Sequence, residues 1–249
     1  MKVVKSVFDR LKVLESQFME FYERMFDYDG VHGLNISVMT LLFTFHSTFD
    51  ITNLESEDYT IDKTLRFSNQ VSVRSNDVDT KHCCKLFHNG KIHVTGSKSV
   101  SDGILVVQEM LTKLYKKEYV LVDFRIEMLN MDFQVNKELL LPSIYENALH
   151  DKIHAVYNTT RYPGLKIPTP SGTVLMFSSG AVILTGCKCV SDVEFMINRI
   201  YSMLGRHAYG KSHTSKTNKR KRRVVHYKYG YASPLVDSVF GVCQRIRSC

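Results

Sequence analysis

Between residues 1 and 27, Val3, Val7, Leu11, Leu14, Phe18, Phe21, Tyr22 and Met25 recur mostly at steps of three and four, with Lys, Asp, Arg and Glu between them. That spacing lines up one apolar stripe on a helix. Asp29-Gly30 breaks the pattern. The polar side mixes both charge signs, so the stripe predicts docking on a main core rather than lying on a membrane. Further along, the period shortens to two. Thr173, Leu175 and Phe177 fall on one face of a strand, Ile183 and Thr185 on one face of the next, with Gly180 at the turn. If a helix covers the opposite side, this side shows Leu, Phe and Ile. An exposed apolar face of that kind marks a binding surface, unless a second layer buries it.

The strand pattern occurs twice. Phe87-x-x-Gly90-Lys91-Ile92-x-Val94-Thr95-Gly96-x-Lys98-x-Val100-Ser101-Asp102 returns as Phe177-x-x-Gly180-Ala181-Val182-x-Leu184-Thr185-Gly186-x-Lys188-x-Val190-Ser191-Asp192. The offset is 90 residues throughout, with eight identical positions, two aliphatic exchanges and no gap. An internal duplication follows. Each copy reads as a hairpin, Asn89-Gly90 being a strong turn pair. A Ser-capped helix comes next, and in the second copy Ser191 and Glu194 have the spacing of a capping box. The helix stripes are Ile104, Val107, Leu111 and Leu114 in copy one, and Val193, Met196, Ile197, Ile200 and Leu204 in copy two, with Gly205 as the stop. The chain therefore divides into an N-terminal helix (1–28), two repeats (29–118 and 119–206) and an extension (207–249).

Charge changes the picture only at that extension. The net charge is +8, but residues 206–249 hold 11 of the 33 Lys and Arg and 1 of the 25 Asp and Glu. The remainder is left with 22 basic and 24 acidic residues, close to neutral. Lys219-Arg220-Lys221-Arg222-Arg223 reads as a nuclear-import signal or a phosphate-binding arm, or as a solvated tail. Tyr209, Tyr227, Tyr229 and Tyr231 among those basic residues suit base stacking with phosphate pairing. No apolar stretch approaches the ~18 residues a membrane helix needs, and Lys5, Asp9 and Arg10 interrupt anything resembling a signal peptide. The six cysteines contain no C-x2-C pair. His82-Cys83-Cys84 on a strand would scatter its ligands to opposite faces, so reduced thiols and no metal or other cofactor are expected. No G-x4-G-K-S/T loop, H-E-x-x-H or G-x-S-x-G is present. His150 and His154 are four apart and can share a helix face, without a third ligand nearby.

At the hairpins the chain resembles the TATA-box-binding protein family. Val174-Leu175-Met176-Phe177-Ser178-Ser179-Gly180-Ala181-Val182-Ile183-Leu184-Thr185-Gly186-Cys187-Lys188 is similar to that family's most recognisable segment, and residues 86–98 to its first-repeat counterpart. Tyr162-Pro163-Gly164-Leu165 resembles the family's Phe-Pro-Gly-Leu element, Arg66-Phe67 its partner in the first repeat, and Phe124-Arg125-Ile126 the strand that opens the second. The resemblance covers about 29–206 and fits a divergent member, such as a viral or protist relative. It implies an α+β saddle: a curved antiparallel sheet of two pseudo-symmetric repeats with helices on the convex side, plus the N-terminal helix and basic tail. The concave side would sit on the minor groove of A·T-rich promoter DNA and bend it. By this resemblance Phe67, Phe87, Tyr162 and Phe177 are wedges, Thr95 and Thr185 offer hydroxyls, and Leu175 and Ile183 give apolar contact. Asn35 reads A·T acceptors, and Arg66, Lys91, Lys98 and Lys188 face phosphates.

The departures from the family pattern fall in both repeats and leave the first half more polar than usual. Met128 takes the place of a second central asparagine, with Asn130 two residues on. Lys85 and His93 stand where the family has aliphatic groove contacts, Val73 and Pro168 where it has arginines, and Ser37 where it has valine. Asn158 and Thr160 occupy the positions of acidic residues that receive transcription factor IIB. Three readings follow: a promoter-bending initiation factor with a factor IIB-like protein and RNA polymerase as partners, a protein-interaction module or homodimer of the same fold, and an enzyme for which no residues can be named. The first places the chain in the nucleus, or at a cytoplasmic replication site if the chain is viral.

Overall fold

A computed structural model describes residues 1–26, 31–63, 68–77, 82–115, 117–135 and 137–204. Arg66, Phe67 and the basic extension lie outside the described residues. The chain forms two compact units, one from Met1–Ser16 and Val38–Glu127, the other from Gln17–Ser37 and 128–204. The divisions fall inside three elements: helix α1 (Lys5–Phe26), strand β2 (Val31–Phe45) and strand β7 (Val120–Val135).

The first unit adds β1 (Lys2–Val3), β3 (Tyr59–Asp62), β4 (Gln70–Ser75), β5 (Cys83–Phe87), β6 (Lys91–Ser97) and helix α2 (Val100–Leu114). Its sheet runs β3-β4-β5-β6-β2-β7, and β1 pairs in parallel with the start of β7. Leu41, Val94, Cys84 and Val73 make one cross-strand row, and Phe43, Ile92, Leu86 and Val71 the next. Both rows are buried together with Ile104, Val107, Met110 and Leu111 of α2. Burying a side chain of this size contributes ~1.5–3 kcal/mol, so the rows hold the unit together.

The second unit adds α3 (Leu141–His150), β8 (Val156–Asn158), β9 (Tyr162–Thr169), β10 (Gly172–Met176), β11 (Ala181–Cys187) and α4 (Val190–Leu204). Its order is β7-β11-β10-β9-β8, all antiparallel. Met131, Leu184, Val174 and Ile167 form one buried row and Phe133, Val182, Met176 and Leu165 the other. On β7, β11 and β10 these sit 90 residues after their first-unit equivalents, so the duplication seen in sequence is a duplication of the core. The helix stripes are buried except Leu114, which is half-buried.

Both hairpins turn as expected. Gly90 and Gly180 take φ +82° and +86°, and their amides donate to Phe87 O (3.2 Å) and Phe177 O (2.9 Å). A Cβ at Gly180 would stand 2.3 Å from Val135 O, so only glycine fits the left-handed turn without displacing backbone.

Two expectations are corrected. Ser191 and Glu194 do not form a capping box. α4 begins at Val190, so Ser191 is already inside the helix and Cys189 precedes it. Asp192 instead accepts from the amides of Lys188 (2.9 Å) and Cys189 (3.3 Å), and Glu194 pairs with Arg24. In the first unit the cap is Ser99, which accepts from Asp102 N (2.9 Å) while Asp102 accepts from Lys98 N (2.9 Å). Cysteine in place of that serine leaves only the aspartate half of the motif in the second unit. His150 and His154 also fail to share a helix face, because α3 ends at His150 and Asp151 caps it.

Candidate nucleic-acid interface

Strand alternation turns every second residue away from the helices. In the second unit this face carries the row Lys166, Leu175, Ile183 and Asp132, and beside it Pro168, Thr173 and Thr185. Leu175, Ile183, Thr173 and Thr185 are half-buried, and Lys166 is exposed. Three of the expected site residues therefore lie on two adjoining strands: Leu175 faces Ile183 across a rung, and Thr185 stands one rung along.

Tyr162 and Phe177 meet at the end of this face. Tyr162 opens β9, Phe177 follows β10, and their ring centroids are 5.8 Å apart with the planes tilted by 62°. Edge-on packing of this kind is favoured by the ring quadrupoles. Gly164 lies under both rings. A Cβ there would come within 2.8 Å of the Tyr162 ring and 3.0 Å of the Phe177 ring. The Pro-Gly in Tyr162-Pro163-Gly164-Leu165 is thus what lets the two aromatics close on each other. Tyr162 remains 40% exposed. Behind it, the Asn158 side chain accepts from the amide (3.2 Å) and hydroxyl (2.6 Å) of Thr160, forming the β8–β9 turn.

The equivalent face of the first unit is more polar, with Leu42 and Phe87 as its large apolar residues. Its rows are Thr40, Thr95, Cys83, Arg74 and Thr60, then Leu42, His93, Lys85, Ser72 and Asp62, then Thr44, Lys91, Phe87 and Gln70. Phe87 packs on His93, centroids 5.4 Å apart. The His93 imidazole is held below its ordinary range, first by burial; Glu127 opposes this, and Lys85, Arg125 and Lys91 reinforce it. Thr95 is exposed, and its hydroxyl is 3.5 Å from that of Thr40. Lys98 and Lys188 are exposed at the junctions between hairpin and helix. Phe67 and Arg66 lie outside the described residues, so of the two residues expected as first-repeat wedges, Phe87 is the one described.

Asn35 is engaged in a way its sequence position does not suggest. Its amide Nδ2 donates to Asp132 Oδ2 at 2.8 Å, and the Ser37 hydroxyl donates to Asp132 Oδ1. Burial, and then the charge of Asp132, push the Tyr22 phenol up, against a backbone hydrogen bond at Ile36. Asn130 Oδ1 accepts from Gly186 N at 3.1 Å, while Met128 is half-buried on the same strand. Sequence reasoning missed Asp132. The available signal was the alternation of Leu129, Met131, Phe133 and Val135 with Met128, Asn130, Asp132 and Gln134, which puts the carboxylate on the outward face. Among the described residues no three His, Cys, Asp or Glu converge as metal ligands would. Cys84 is buried and its thiol is pushed up to about 12 by burial, with Cys83 adding.

The family model "Transcription factor TFIID (or TATA-binding protein, TBP)" matches residues 123–207. The TATA-box-binding protein of Methanococcus maripaludis is 26% identical over 132 residues, 51% of this chain and 70% of that protein. That of Pyrodictium occultum is 30% identical over 121 residues, 48% of this chain and 60% of that protein. The solved structure of Methanococcus jannaschii TBP superposes with a TM-score of 0.56 at 19% identity, covering 69% of this chain and 98% of that one. The second repeat thus matches the TATA-binding protein family, and the chain is similar to TATA-box-binding proteins. It has that family's α+β fold. The model's match takes in α3, β8 to β11 and α4 and stops short of the first repeat, so the more family-like half is also the half with the aromatic pair and the apolar rungs.

Proposed function

We propose that the chain is a transcription initiation factor that binds duplex DNA through the minor groove at A·T-rich promoter sites and bends it, without catalysis. The observation that carries this reading is the Tyr162–Phe177 pair, closed over Gly164 at the end of a face bearing Leu175, Ile183, Thr173 and Thr185. Minor-groove proteins insert apolar wedges between base steps, partly unstacking them in exchange for a bent duplex with more contact; TATA-binding proteins are themselves the standard instance. The rungs beside the wedge suit the groove floor. Threonine hydroxyls can donate to the acceptors A·T pairs present, and Leu and Ile cover the sugar and base edges. Lys91, Lys98, Lys188 and Arg66 supply phosphate neutralisation. In this reading the block Lys219–Arg223 directs the chain to the nucleus, and its partners are a factor IIB-like protein and RNA polymerase. Asn158 and Thr160 take the place of an acidic docking pair, so the factor IIB-like partner must differ on its own contacting side.

A second reading, a protein-interaction module, is favoured by one feature. A carboxylate, Asp132, sits on the very face that would meet DNA. Titrating end-labelled A·T-rich and G·C-rich duplexes at two salt concentrations, with energy transfer between the ends, separates the readings. Binding with bending that Phe177→Ala weakens supports the DNA reading. Salt-sensitive binding without bending, together with a stable dimer in sedimentation, rejects it in favour of the module.

A further inference from the structure

We propose that Asp132 makes this face accept a G·C pair at the base step it meets, by taking a hydrogen bond from the guanine 2-amino group. This deepens the minor-groove reading above and rests on it. Asp132 is aligned with Ile183, which is aligned with Leu175, so the carboxylate lies in the same rung as two groove-contact candidates. Both of its oxygens are held, Oδ2 by the Asn35 amide at 2.8 Å and Oδ1 by the Ser37 hydroxyl. An ionised carboxylate is an acceptor only, with about four lone-pair sites, so each oxygen keeps capacity for a further donor. The minor groove supplies one kind of base donor. A·T pairs in either orientation show adenine N3 and thymine O2, both acceptors, whereas a G·C pair adds the guanine N2 amino group. Against A·T, Asp132 sets acceptor facing acceptor; against G·C it finds a partner. Its donors reinforce the effect, because the Asn35 N–H that points at Asp132 is not presented to an A·T acceptor. The flanking amides are tied to backbone as well: Gln134 Nε2 donates to Ser179 O (2.5 Å), and Asn130 Oδ1 receives Gly186 N.

The test uses the full chain and two sets of end-labelled duplexes. In one, a single G·C pair is moved stepwise through an A·T core. In the other, inosine replaces that guanine, which removes the 2-amino group alone. The expected result is one position where guanine binds roughly tenfold tighter than inosine, the size of one charge-assisted hydrogen bond. Asp132→Asn is expected to abolish that preference and to bind the unbroken A·T core more tightly than wild type. The inosine comparison is made on wild type, so it does not depend on the variant folding. Equal binding of guanine and inosine probes at every position, with Phe177→Ala still weakening binding, overturns the Asp132 assignment and leaves the DNA reading standing. Binding that is indifferent to Phe177→Ala on every probe overturns both.

Discussion

The middle rung of the outward face differs between the two repeats position by position. In the first it is Leu42, His93 and Lys85; 90 residues later it is Asp132, Ile183 and Leu175. Apolar and polar characters have changed places, while the inward rows of the same strands stay aliphatic or aromatic apart from Cys84. A strand's two faces belong to different environments, so one can drift while the other is constrained by close packing. The inward faces answer to α2 and α4 and changed little. The outward faces carry no such packing constraint from those helices, and the second has the apolar Leu175–Ile183 rung and a described aromatic pair. The repeats are thus equivalent as scaffolds and unequal as surfaces. The helix caps repeat the lesson, since Asp102 and Asp192 both reach back to a lysine amide, yet only the first has a serine to complete the motif.

Equivalence as scaffolds predicts the largest effect. Gly180→Ala puts a Cβ 2.3 Å from Val135 O at φ +86°, and Gly90→Ala puts one 2.7 Å from Ser47 O at φ +82°. Each is expected to cost about 3 kcal/mol of stability in urea denaturation. A neutral Gly90→Ala would break the equivalence.

Inequality as surfaces predicts the next. Phe177→Ala is expected to weaken binding to an A·T-rich duplex by about 1–3 kcal/mol, and Phe87→Ala, whose ring rests on His93, by less. Equal losses would mean both repeats insert a wedge alike. Gly164→Ala pushes the Tyr162 and Phe177 rings apart and is expected to reduce bending more than it reduces thermal stability.

The smallest effect concerns His93. Its folded-state pKa lies below the ordinary 6.5, so as pH falls through that value the unfolded chain takes up the proton first and stability declines. The denaturation midpoint should therefore drop between pH ~7.5 and ~5.5, and His93→Leu should flatten that slope. His93→Leu also makes the rung more like its counterpart at Ile183 and is expected to raise affinity for A·T-rich duplex slightly. An unchanged slope would remove His93 as its source.

Much of the fold was legible because its signals are local. The 90-residue offset, Asn89-Gly90 and the three-and-four spacing of Val193, Met196, Ile197 and Ile200 each lie within one or two elements. Helix α1 runs Lys5–Phe26, within the span its stripe marked. The capping of α4 was misread because serine with a downstream glutamate has the right spacing, and nothing local shows that Glu194 is drawn to Arg24, 170 residues away in sequence. The candidate site was legible where a side chain's placement on the outward face follows from strand parity, as for Leu175, Ile183, Thr185 and Phe177. It was not legible where the role depends on which strand lies alongside. Asn35 meets Asp132 across 97 residues, and no spacing rule announces that contact.

The sequence by itself determined the duplication, the two hairpins and their glycines, the helix that follows each, and which residues of each strand face outward, because turns, periodicity and parity are properties of neighbouring residues. Only the tertiary structure decided that Gly164 makes room for two rings, that Cys189 leaves a cap half made, and that a carboxylate at 132 is held by Asn35 and Ser37. Each of these depends on which distant atoms are brought within a few ångströms, and that is settled by how strands pair and helices pack.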